Sequence, residues 1–89
     1  MKAKVEAQVF YTLGKGDDEG ATQAVKKVLA ALCPKATLGR LTLTGGGCFL
    51  PSRERDLGFK CTLTLPRGTA QPDDTRKQVG PYAVKVEAC

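Results

Sequence analysis

The residues of this 89-residue chain whose types and spacing could do chemistry are four cysteines, a glycine-rich acidic loop and a scatter of cations. Cys33, Cys48, Cys61 and Cys89 include no Cys-x-x-Cys pair, so the close ligand spacing of a structural zinc site is missing and no metal is expected. The chain has no His, which removes the usual acid–base residue and the commonest metal ligand. A cysteine nucleophile would then need Lys, Arg or a helix terminus to lower its pKa. Cys48, beside Gly45-Gly46-Gly47 and ahead of Arg53, is the one candidate. A structural role is the stronger expectation: Cys33 and Cys61 fall on apolar faces as small core residues, Cys48 flanks a strand and Cys89 is a chain end.

Gly14-x-Gly16-x-x-x-Gly20 stands between an alternating segment and a helical one, where a dinucleotide-binding glycine loop would sit. Asp17, Asp18 and Glu19 would point three carboxylates at the phosphates that such a loop must attract. A turn with a helix cap is therefore expected instead, and no cofactor. The three carboxylates are adjacent, unlike the spaced oxygen ligands of a calcium loop. With no nucleophile–base pair, paired carboxylates or metal cluster in a recognisable arrangement, the chain is expected not to be an enzyme.

The elements that must position these residues follow from hydrophobic period. Ala3, Val5, Ala7 and Val9 alternate with Lys2, Lys4, Glu6 and Gln8, a half-buried strand that extends its apolar side to Tyr11. From Ala21, apolar residues recur at Ala24, Val25, Val28, Leu29 and Leu32 with a helical period. Asp17 or Asp18 caps that helix and Pro34 stops it. Two Thr- and Leu-rich strands follow, around Leu41 and Leu43 and around Phe59 to Leu65. Between them, Gly45 to Asp56 extends the strands past a glycine bulge to a charged tip. Pro72-Asp73 and Gly80-Pro81 bracket a helical piece of at most two turns, and Tyr82, Val84, Val86 and Ala88 alternate in a last strand. Lys4-Val5-Glu6-Ala7 recurs as Lys85-Val86-Glu87-Ala88. Antiparallel pairing of Val5 with Val86 would set Lys4 against Glu87 and Glu6 against Lys85.

The expected fold is a single α+β domain over residues 1–89: a four-stranded, mainly antiparallel sheet packed on one main helix, in the ferredoxin-like (split βαβ) order with a truncated second helix. Disorder over the whole chain is excluded by its 42% apolar residues. Met1-Lys2-Ala3-Lys4-Val5-Glu6 has charges where a secretory signal or membrane span needs an apolar run. A cytoplasmic protein with reduced thiols and no membrane partner is therefore expected.

The formal charge of +5 is the clearest pointer to function. Lys2, Lys4, Arg40, Lys60 and Lys85 share the polar side of their strands, a face suited to phosphates, though Phe10 is its only aromatic. Apolar Phe49 and Leu50 precede Arg53 and Arg55, a composition common at protein interfaces. Together these features predict a binding module, an adaptor, regulator or inhibitor, that occupies a protein or nucleoprotein complex through Arg40, Phe49, Leu50, Arg53, Arg55 and Lys60. A compact, motif-free chain of this kind is what phages and mobile elements use against host defence, anti-CRISPR inhibitors included. The excess of cations disfavours a DNA mimic. Direct, largely sequence-independent nucleic-acid binding is the alternative expectation, and an exposed sheet edge could also pair two copies into a homodimer.

Overall fold

The computed structural model describes residues 2–49, 53–68 and 73–88, with residues 48 and 49 placed by their backbone. The alternating N-terminal segment forms β1 (Lys2–Thr12), followed by α1 (Asp18–Leu32), a two-residue β2 (Thr37–Leu38), β3 (Thr42–Phe49), β4 (Glu54–Thr64), β5 (Thr75–Val79) and β6 (Tyr82–Ala88). β1 is central, flanked by β4 and β6. β4 carries both β2 and β3 on its far side, and β5 closes the opposite edge beyond β6. All pairings are antiparallel, and the sheet curls into a half-barrel.

This corrects the expected four-stranded sheet packed on a helix in ferredoxin-like order: the structure is 54% strand, and among the described residues there are six strands and one short helix, α1. The difference begins at residues 75–79. Thr75, Lys77 and Val79 alternate with Arg76 and Gln78, and the segment pairs with β6 from Thr75↔Val86 to Val79↔Tyr82. Gly80, at φ +57°, is the first of two loop residues between paired Val79 and Tyr82, the position where primed hairpin turns demand glycine. Gly80-Pro81 is thus a hairpin turn, not a helix stop. So short a segment cannot repay helix nucleation alone, whereas an adjacent strand offers it hydrogen bonds at once. Of the bracket predicted for that helix, Pro72 lies outside the described residues.

The expected β1–β6 register is also corrected. Val5 faces Ala88, Ala7 faces Val86 and Val9 faces Val84, two residues away from the register that charge pairing suggested. Either register keeps the same side chains on the core side, because the shift is even. In the observed one, Tyr11 and Tyr82 meet with ring centroids 5.4 Å apart at 69°, an edge-to-face contact. Glu6 then falls opposite Glu87, but Lys60 reaches Glu6 at 3.6 Å and Lys85 reaches Glu87 at 2.7 Å. Exposed ion pairs contribute at most about 1 kcal/mol, too little to outweigh burial of an aromatic pair.

The core lies between the inner sheet face and α1. Val5, Val9, Leu57, Leu63, Val84 and Val86 meet Val25 and Leu29 of the helix, and all are essentially inaccessible to solvent. Burying each such Val or Leu stabilises the fold by about 1.5–3 kcal/mol. The helix lies against β1 and β6. Its start is capped by Asp17, whose Oδ1 accepts the Gly20 N–H at 2.6 Å, with Asp18 and Glu19 in the first turn favouring the positive end of the dipole. Past Gly45 the β3–β4 hairpin runs on after an irregularity between Leu43 and Gly45, so Arg55 and Asp56 belong to β4 and not to a loop tip.

Candidate nucleic-acid interface

With Ala3, Val5, Ala7 and Val9 committed to the core, the pleat sends Lys4, Glu6, Gln8 and Phe10 of β1 to the outer face. Register places Thr62, Lys60 and Gly58 beside them from β4, Thr42 beyond from β3, and Lys85, Ala83, Arg76 and Gln78 from β6 and β5. Three shallow depressions cross this face. One of about 410 Å³ is lined by Lys4, Glu6, Arg40, Thr42, Lys60 and Thr62. A second, about 140 Å³, shares Glu6 and adds Gln8, Thr44, Gly58, Lys85 and Glu87. The third, about 490 Å³, shares Gln8 and Lys85 and adds Phe10, Arg76 and Gln78. Shared walls join them into a single track along the β1 side chains from Lys4 to Phe10, about 20 Å at strand rise.

The track has cations at both ends, Lys4, Arg40 and Lys60 at one and Lys85 and Arg76 at the other. The carboxylates that line it, Glu6 and Glu87, are each tied to a lysine, and Asp56 stands opposite Phe10 on the same face. The Lys60 and Glu6 side chains are 63% and 49% exposed, so their pair is solvent-screened and can give way to a stronger anion. Thr42, Thr44 and Thr62 offer hydroxyls, and half-buried Phe10 offers a ring face.

Of the six residues expected to make contact, the structure brings Arg40 and Lys60 together in one depression. Arg53 sits elsewhere, at the end of the β3–β4 hairpin with φ +58°, its carbonyl accepting the Leu13 N–H at 2.7 Å. Arg55 points to the inner side opposite Tyr11 and forks onto Asp18, Nε to Oδ1 at 3.1 Å and Nη2 to Oδ2 at 3.0 Å. Phe49 is placed by its backbone opposite Glu54, and Leu50 lies outside the described residues. Sequence reasoning missed Arg76 and Gln78 because it put them in a helix. The alternation of Thr75, Lys77 and Val79 with the residues between them was the available signal.

The glycine loop has a packing role. A side chain at Gly16 or Gly20 would fall inside the Tyr82 ring, whose hydroxyl accepts the Asp17 N–H at 3.1 Å. Those glycines clear space for an aromatic, which accounts for the spacing without any phosphate. Asp18 accepts a hydrogen bond from the Tyr11 hydroxyl beside the Arg55 fork, and these two partners hold its carboxyl below the usual range. Burial, with Asp18 adding to it, pushes Tyr11 up to about 12. Burial also raises the thiols of Cys33 and Cys61, so neither is an activated nucleophile at neutral pH. Cys89 lies outside the described residues.

Among the described residues, no three His, Cys, Asp or Glu side chains cluster as a metal site, and no helix is long and apolar enough to cross a membrane. Compared with family models, with curated proteins and with solved structures, the chain finds no match in any of the three.

Proposed function

We propose that the chain is a non-enzymatic module that holds the phosphate backbone of a single-stranded nucleic acid, free or within a nucleoprotein complex, along its outer sheet face. The observation that carries this reading is the continuous track from Lys4, Arg40 and Lys60 to Phe10 and Arg76. Cations along a groove neutralise phosphates and release counterions, while one aromatic ring stacks a base without choosing among sequences. A single stacking ring, with threonines farther along the track, supports tolerant binding over specific readout. An adaptor or inhibitor of the kind mobile elements deploy against nucleoprotein defence complexes would use the same face. A cytoplasmic site of action belongs to this proposal and accords with the free thiols of Cys33 and Cys61.

Fluorescence anisotropy of labelled single-stranded DNA, RNA and duplex DNA at low and near-physiological salt tests it. Binding should weaken steeply with salt. Arg40→Ala and Lys60→Ala should each lower the log–log salt slope by about one contact's worth. Phe10→Ala should cost about 1–3 kcal/mol on single strands and leave duplex binding unchanged. Absence of binding to every probe at low salt would overturn the reading.

A further inference from the structure

We propose that the groove between α1 and β5 takes an extended acidic segment of a partner protein, added as a further strand along the free edge of β5. Among the described residues β5 pairs with β6 alone, and its other edge carries no strand. Beside that edge opens a groove of about 810 Å³, with Val28, Ala31, Leu32 and Val79 supplying an apolar floor and Lys27, Lys77 and Arg76, which also borders the outer-face track, the charge. Among the described residues no carboxylate lines it. Asp74, at the start of β5, turns instead to accept the Ala88 N–H at 3.1 Å.

Three features select the occupant. The open backbone edge calls for an extended chain, which gains affinity from main-chain hydrogen bonds. The apolar floor asks for alternate apolar side chains on the inner side, which distinguishes this groove from the phosphate track. The cations ask for carboxylates and disfavour a second copy, because β5 paired antiparallel with itself would set Arg76 and Lys77 against like charges. A strand alternating Asp or Glu with Val, Leu or Ile satisfies all three.

The test is selection of a displayed library of random twelve-residue peptides on the full chain, followed by anisotropy of the enriched peptides. Enriched sequences should alternate acidic and apolar residues. The exposed pair Lys27→Glu and Lys77→Glu should weaken them more than tenfold without changing the circular dichroism spectrum or thermal midpoint, and a proline at the peptide centre should abolish binding. Retention of peptide binding in the Arg40→Ala/Lys60→Ala variant separates this site from the sheet face. Failure to enrich, enrichment of neutral or basic peptides, indifference to the two charge reversals, or occupation of the groove by oligonucleotide, seen as displacement of bound peptide by single-stranded DNA in the Arg40→Ala/Lys60→Ala variant, would each overturn the proposal.

Discussion

At the residue scale, Tyr11, Asp18 and Arg55 tie the end of β1 and the start of β4 to the first turn of α1. Their ionisation sets two pH limits. The Asp18 carboxyl is lowered in the folded state, so its contribution is present above the ordinary carboxylate range and is lost as pH falls through the lowered value. Because Asp18 is 53% exposed, solvent screens that contribution, and Arg55→Ala should destabilise by about 1 kcal/mol or less. Tyr11 has the opposite sense: its folded pKa is raised from 10.0 to about 12, so its contribution is intact below pH 10 and is lost as pH rises from there to about 12. Denaturant midpoints measured across that alkaline window should fall more steeply for the native chain than for Tyr11→Phe. Equal slopes would show that Tyr11 does not titrate with unfolding. Asp18 was legible in the sequence as part of a helix start, but nothing local could show that a residue 37 positions later would fork onto it.

At the element scale, the β1–α1 loop and β6 are fitted to each other through Tyr82. Gly20→Ala would gain about 1 kcal/mol of helix propensity, yet its Cβ would land on the Tyr82 hydroxyl end and displace a ring that packs on Tyr11 and accepts from Asp17. The net effect should be destabilising, by about 1–2 kcal/mol once overpacking is set against propensity. In a Tyr82→Phe background, which removes the nearest atom, the penalty should shrink. A thermodynamic cycle with no coupling between the two positions would refute the packing account of the glycine spacing. β1, α1, β4 and β6 could all be read from period alone, since each is long enough to repeat its pattern several times. β5 could not, because Pro, Asp and Gly-Pro at its flanks are punctuation shared by helix starts and hairpin turns. Only the availability of β6 as a neighbour decides between them.

At the scale of the whole molecule, the curl of the sheet gathers cations from separate strands, and from Arg40 beside them, onto one outer face while α1 covers the inner side of β1 and β6. Glu6 and Glu87 oppose that field. Glu6→Gln should free Lys60 and raise nucleic-acid affinity by several-fold at low salt, the gain fading as salt is added; an unchanged or weaker affinity would argue against the track. The amino-acid sequence by itself determined which side chains β1, β4 and β6 bury, where the helix begins and ends, and that the exposed sides carry a positive excess, but not that Leu43 of β3 is left 58% exposed. Period, capping chemistry and charge are local properties. The tertiary structure alone decided the β1–β6 register, the strand state of residues 75–79 and the separation of Arg55 from Arg40 and Lys60. Each of these depends on what lies opposite in space: an aromatic partner for Tyr11, a free edge beside β6, and a carboxylate on the helix within reach of Arg55.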